Sequence, residues 1–285
     1  MTTNGDYDLD QAVPRLYHRL AENQRGSAMK RIHTCVVTAG ILILPARSTF
    51  STVALFHTVH AESFWYVTPT GDDSNDCMSP LTACGTINGA IALAGDGDTI
   101  NVSVGSYTGS GNEVVLINKN VVLSGGWDPT FVDQSGTSTV DGESSRRGIT
   151  VSIGGVTATV IRFVVQNGVR GIGPGGGGIQ NNGILTLNNC TIQDNSGAGI
   201  QNTNNLVVNE STISGNSNDA GGGGISSIGA LTLNNSTVSG NMTTSEGGGI
   251  LSAGPFVTLT LNNSTISANL AAFRGGGIAN QGSTR

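Results

Sequence analysis

The densest charged constellation in the chain is Asp141-Gly-Glu143, followed by Arg146-Arg147. Its functional reading is recognition of acidic sugars, since an arginine fork can grip their carboxylates. The same four residues, Asp141, Glu143, Arg146 and Arg147, also fit a solvated loop, because charge clusters mostly lie at the surface. Further acids are Asp194, Glu210, Asp219 and Glu246. Asp96 and Asp98 could bind a cation, although Gly95-Asp-Gly-Asp98 suits a tight turn better. Histidine narrows the choice. All four histidines (His18, His33, His57 and His60) precede residue 62. Ser-His-Asp and Cys-His catalysis and His-ligated metals are therefore not expected beyond that point.

These residues lie in or beside a repeat. Gly178-Ile179, Gly224-Ile225 and Gly249-Ile250 each lead to a Leu-Thr-Leu-Asn-Asn segment, at Leu185, Leu231 and Leu259. The anchors Ile179, Ile200, Ile225, Ile250 and Ile278 stand 21, 25, 25 and 28 residues apart. A unit this small cannot bury its own apolar face, so it must stack on its neighbours. The length changes fall at one corner, between residues such as Asn216 and Gly224, where loops absorb insertions without disturbing strand register. Leu231 and Leu233 face in while Thr232 faces out, as period two requires. Asn234-Asn235 turns the chain, since Asn tolerates left-handed angles. Stacking should align Leu187, Val208, Leu233 and Leu261 in one inner file. Asn189, Asn235 and Asn263 should form a side-chain ladder, with Glu210 replacing one rung. The Asn-x-Ser/Thr matches at Asn235, Asn241 and Asn263 follow from this pattern and are poor evidence of glycosylation.

Gly- and Asn-rich connectors disfavour the helices of a leucine-rich repeat, and the Gly corners lack the Asp of a calcium-binding nonapeptide roll. What remains is an all-β parallel β-helix with three short strands per coil. Val114–Ile117, Val121–Leu123 and Val160–Val165 read as strands of earlier coils. Seven or eight coils from Thr99 onward, at about 4.8 Å each, make a rod on the order of 35 Å. Upstream, residues 62–98 read as a strand at Phe64–Thr68 and a cap helix over Thr86–Ala94. That helix places Ile87, Ala90, Ile91 and Ala94 on one face, covering the edges of the first coil. The β-helix then occupies residues 99–285 and reads as truncated in mid-repeat.

Residues 29–61 have the form of a secretory signal peptide: basic Met29-Lys-Arg-Ile-His33, an apolar run from Cys35 to Leu44, and compact residues at Val59-His-Ala61. An uncleaved anchor is the alternative. Residues 1–28 read as an extension from a mis-assigned start, or as a short cytoplasmic tail. Cys77 and Cys84 flank a Pro-containing loop outside any CxxC pair, which favours a local disulfide in an oxidising compartment. Cys190 stands where other units have Ser211, Ser236 and Ser264 and reads as a small buried thiol. Residues 62–285 carry seven basic and fifteen acidic residues. Such a body lacks a footprint for a phosphate backbone, and no nucleic-acid partner is expected.

Trp65-Tyr-Val-Thr-Pro-Thr-Gly71, Cys84-Gly-Thr-Ile-Asn-Gly-Ala-Ile91, Gly97-Asp-Thr-Ile-Asn-Val102, Gly105-Ser-Tyr107 and Leu123-Ser-Gly-Gly-Trp-Asp128 together resemble exported bacterial right-handed parallel β-helix proteins of the pectin-lyase-like superfamily. The Gly-Gly-Gly-Ile units resemble, more loosely, the repeats of polymorphic outer-membrane proteins. The superfamily includes pectate lyases, polygalacturonases and adhesin passengers, so the resemblance implies a fold and leaves the activity open. Its lyases use acids that bind Ca²⁺ with a positioned Arg or Lys, and its polygalacturonases use several Asp, usually with a His. The histidine-free body does not carry the hydrolase motif. The favoured expectation is a secreted or cell-surface scaffold for binding or display, directed at polysaccharide or a neighbouring cell surface. No cofactor and a monomeric state are expected, with membrane contact only through an uncleaved signal or a missing C-terminal anchor. The alternatives are a polysaccharide lyase or hydrolase, with Ca²⁺ in the lyase case, and a spacer for a further domain. N-terminal sequencing of the exported protein should begin at Glu62; an intact Met1 on membrane-bound protein would overturn the cleaved signal.

Overall fold

Parallel strands stacked one coil on the next build the computed structural model, which describes residues 62–171, 175–255 and 257–282. The chain divides into two units, Met1–Phe56 and His57–Arg285, and all described residues belong to the second. The signal-peptide and upstream-extension expectations lie outside the described residues.

The first sheet has eight strands: Phe64–Val67, Asp98–Ser103, Val121–Trp127, Thr157–Ile161, Ile184–Asn188, Asn205–Asn209, Ala230–Asn234 and Leu259–Asn262. The second has seven, from Gly105–Tyr107 through Ser138–Asp141, Phe163–Gln166, Thr191–Gln193, Thr212–Ser214 and Thr237–Ser239 to Thr265–Ser267. The third also has seven, from Glu113–Ile117 through Arg147–Val151, Gly176–Asn181, Ala198–Asn202, Ile225–Ser227 and Ile250–Ser252 to Ile278–Asn280. The chain visits the three sheets in turn, giving a right-handed parallel β-helix, the hand that parallel crossovers favour.

The expected files form in register. Leu187, Val208, Leu233 and Leu261 pair across successive coils. Ile179, Ile200, Ile225, Ile250 and Ile278 do the same on the third sheet. All but Leu261 and Ile278 in these two files are fully buried. Because the side-chain period is two, a one-residue slip would expose a whole file, so burial sets the register.

Two expectations need correction. First, the ladder expected at Asn189, Glu210, Asn235 and Asn263 forms in two of its three links, and a buried ladder lies elsewhere. Arg162, Asn189, Glu210, Asn235 and Asn263 all hold left-handed φ of 47–59° at the corner between the first two sheets. That corner makes two side-chain bonds: Asn189 Nδ2 to Glu210 Oε2 at 3.0 Å and Asn263 Nδ2 to Asn235 Oδ1 at 2.8 Å. The buried ladder lies at the corner leading to the third sheet. There Asn195, Asn216, Asn241 and Asn269 pass Nδ2–Oδ1 bonds of 2.8, 2.9 and 2.9 Å from coil to coil. Each Oδ1 also accepts a backbone N–H from the coil before, as in Asn195 N to Asn216 Oδ1 at 3.1 Å. Asn241 is fully buried, so its glycosylation match is a by-product of the ladder.

Second, the later coils have a fourth short strand. Ser217–Asn218, Met242–Thr243 and Leu270–Ala271 form a small parallel sheet just after the asparagine ladder, at the corner of variable length. The extra residues there pair with one another and are not a structureless loop.

The cap helix, α1, covers Ile87–Leu93, with Thr86 Oγ1 accepting from Gly89 N at 2.9 Å. Ile87, Ala90, Ile91 and Ala94 are buried as the spacing predicts. Asn88 completes the edge of the third sheet: its amide donates to Val114 O at 3.0 Å and accepts from Leu116 N at 2.9 Å. It thus substitutes for a missing strand, which blunts the edge. Cys77 and Cys84 form a disulfide, both fully buried beneath this cap. Cys190 is a buried free thiol whose acidity is suppressed by burial, its pKa pushed up to about 11. Among the described residues no helix is long and apolar enough to cross a membrane.

Replacing Asn216 by Ala removes the acceptor of both Asn195 N and Asn195 Nδ2. With buried polar groups left unpaired, the expected loss is about 3 kcal/mol by denaturant unfolding, whereas outward-facing Ser214→Ala should cost under about 0.5 kcal/mol.

Candidate functional site: a groove on the variable corner

The fourth sheet borders a groove of about 480 Å³. Its floor follows the file Val169, Ser196, Ser217 and Met242, which pair in parallel from coil to coil. Alongside run Arg170, Gly197, Asn218 and Thr243, and then Asp219 and Thr244. Arg170 reaches over the intervening coil to Asp219, 49 residues away in sequence, and binds it through its two terminal guanidinium nitrogens at 2.8 and 2.9 Å. The side chain passes Gly197, where an added Cβ would stand 3.0 Å from Arg170 Cβ and where φ is +104°. Thr244 Oγ1 donates to Asp219 O at 3.2 Å, tying the acid's loop to the next coil. The Ser196 and Ser217 hydroxyls line the same groove and make no hydrogen bond to other described residues.

The sequence candidates do not converge. Asp141 ends a strand of the second sheet, in the outward file Asp141, Gln166, Gln193, Ser214, Ser239 and Ser267. It is the single acid of that file. Burial opposes its ionisation, but hydrogen bonds from Gln166, Glu143 N and Asn167 outweigh this and hold its pKa below the usual value. Glu143 and Ser144 adopt left-handed φ of 52° and turn the chain sharply. Glu143 accepts from Arg146 at 2.8 Å in a local ion pair. Arg147 has already entered the third sheet, opposite Glu113. Its Nε donates to Gly176 O at 2.7 Å, and Thr150 links it towards Glu113. Burial lowers the Arg147 pKa, with Glu113 acting in the opposite sense.

Arg146 does connect to the groove. Val169 N donates to Arg146 O at 2.9 Å, so Arg146 lies one coil before the groove floor. Its Nε is buried without a hydrogen-bond partner. The variable corner thus carries three ion pairs: Arg146–Glu143, Arg170–Asp219 and, at 3.7 Å, Arg274–Glu246.

Asp96 and Asp98 are occupied by N–H donors. Asp96 accepts from Asn120 N at 2.9 Å. Asp98, buried, accepts from Ser63 N, Trp65 Nε1 and Gly95 N at 2.7–2.9 Å. Both carboxylates therefore serve the turn between cap and first coil. Among the described residues no group of three or more His, Cys, Asp or Glu could hold a metal ion. A larger cleft, about 740 Å³, lies beside α1, but its best polar groups are already engaged. There Asp73 caps the helix entry, Asn88 pairs with the sheet edge, and Lys119 Nζ donates to Ala92 O and Ala94 O.

Residue types alone single out Arg146 and Arg147 but miss the Arg170–Asp219 pair, whose partners meet only when coils stack. The available signal was the variable length of the Asn216–Gly224 connector. The pair is exposed, at 34% and 64% of the side chains. Asp219→Ala should therefore change unfolding stability by less than about 1 kcal/mol, measured by thermal or urea denaturation.

No protein-family model matches the chain, and no curated protein does. Among solved structures, the crystal structure of pectate lyase Pel9A is similar at 15% sequence identity, covering 78% of this chain and 82% of that one, with a TM-score of 0.36. A likeness of that size carries no weight on function, and the architecture rests on the strand pairing itself.

Proposed function

We propose that the chain is an exported β-helical scaffold that binds carbohydrate in the groove of the variable corner. The groove carries this reading: it is a recess on a rigid stack, lined by hydroxyls, an amide and an Arg–Asp pair. Sugar hydroxyls both donate and accept, so a site for them needs both kinds of group. Arg170 donates, Asp219 accepts, Ser196 and Ser217 can do either, and Thr244, whose hydroxyl donates to Asp219 O, can accept. Met242, half exposed at 48%, adds apolar surface for the C–H face of a sugar ring. The disulfide under the cap supports an oxidising compartment, and hence secretion or surface display.

The test is retention of the purified protein on immobilised polysaccharides, followed by calorimetry on those that hold it. At least one polymer should bind, and Arg170→Ala should weaken it by about tenfold, the equivalent of one charge-assisted hydrogen bond. Binding unchanged by Arg170→Ala would move the site elsewhere. The same preparations should release no unsaturated product from polygalacturonate, with or without Ca²⁺. Cleavage abolished by Asp141→Asn or Arg146→Ala would replace the scaffold reading with a lyase.

A further inference from the structure

We infer that the groove selects neutral saccharides, with the Arg170–Asp219 pair acting as a clamp on adjacent hydroxyls, and that it rejects uronate polymers. This rests on the carbohydrate reading and narrows it to one ligand class.

The argument begins with the guanidinium. Arg170 already spends two parallel N–H bonds on Asp219, at 2.8 and 2.9 Å. A planar fork offers its best face to one carboxylate at a time. An incoming uronate would have either to displace Asp219 or to take the remaining guanidinium N–H groups with its own charge held beside the Asp219 carboxylate. A hydroxyl pair imposes no such exchange. It can accept from the remaining guanidinium N–H groups and donate to Asp219 while the ion pair stays closed.

Among the residues that line the groove, Arg170 is the one cation. Arg146 is paired with Glu143, and Arg274 faces Glu246. Arg147 is turned onto the third sheet, held by Gly176 O and opposite Glu113. Lys119 is held by the cap-helix carbonyls, and Arg162 sits on the corner between the first two sheets. The long-range field acts in the same sense. With fifteen acidic and seven basic residues in 62–285, the body repels a chain of carboxylates.

Thr244 supports the clamp from the neighbouring coil. Its hydroxyl holds the Asp219 carbonyl, so the acid is positioned by the stack and not by a free loop. The Ser196 and Ser217 hydroxyls lie along the same floor file, one coil apart, where a linear oligosaccharide parallel to the rod would meet them in succession.

The experiment is affinity electrophoresis of the purified protein through gels containing neutral galactan, xylan or glucan, or polygalacturonate, at low and high salt. The expected result is retardation by at least one neutral polymer, equal at both salt levels because no net charge is exchanged. Polygalacturonate should not retard the unchanged protein. Asp219→Ala should weaken neutral binding by about tenfold and, by freeing Arg170, create salt-sensitive retardation by polygalacturonate. Salt-sensitive binding of polygalacturonate by the unchanged protein would overturn the neutral selectivity while leaving the carbohydrate reading intact. Neutral binding indifferent to Asp219→Ala would overturn the clamp. Retardation by none of the polymers would overturn the carbohydrate reading itself.

Discussion

Everything in this molecule depends on how it satisfies backbone groups at a buried corner. A coil has too little interior to exist alone, so strands must pair with the coils above and below. Within sheets, parallel hydrogen bonds accomplish that. At the corners the chain turns away from the ladder, and its N–H and C=O groups would be stranded without water. The Asn195–Asn216–Asn241–Asn269 ladder answers this need. Each amide links its own coil to the next while also serving backbone carbonyls such as Ile192 O and Ser214 O. The glycine before each repeat isoleucine has the same cause. A Cβ on Gly224 would lie 2.6 Å from Gly249 O and 2.9 Å from Asn241 Nδ2, so the ladder and the glycine require one another.

Once that corner is held, length becomes tolerable immediately beyond it. The residues after Asn216, Asn241 and Asn269 pair into the fourth sheet, whose Ser217 and Met242 continue the floor of the groove. A rigid stack therefore carries a corner that can change without disturbing the core. Contrary to the expectation of a single variable corner, the connection from Ser252 to Leu259 is also three residues longer than that from Ser227 to Leu231. Binding residues are commonly found on loops held by such a scaffold. At the other end, α1 and Asn88 close the first coil, because an open parallel edge would recruit other strands.

Much of the fold was legible from periodicity. The Ile and Leu files, the cap-helix face and the Asn-filled left-handed corner follow from residue type and spacing, since each is a local or nearest-neighbour requirement. The ladder at Asn189 forms only in part, and the buried one at Asn195 is not read from the sequence, for a physical reason. Asn189 and Asn195 are both short amides near a turn, and only burial distinguishes the outward corner from the inward one. The Asp141–Arg147 cluster shows the opposite effect. Its members are close in sequence, but the left-handed turn at Glu143 and Ser144 sends Asp141 and Arg147 to different sheets.

What the chain determines by itself is the repeat: alternation buries one face of each strand, small turn residues end it, and stacking follows because no unit can bury its own apolar side. What only the tertiary structure decides is which distant residues become neighbours across coils. Arg170 and Asp219 are two coils apart, and connectors of unequal length separate them in sequence. Their meeting depends on coil rise and corner path, quantities that no local pattern encodes.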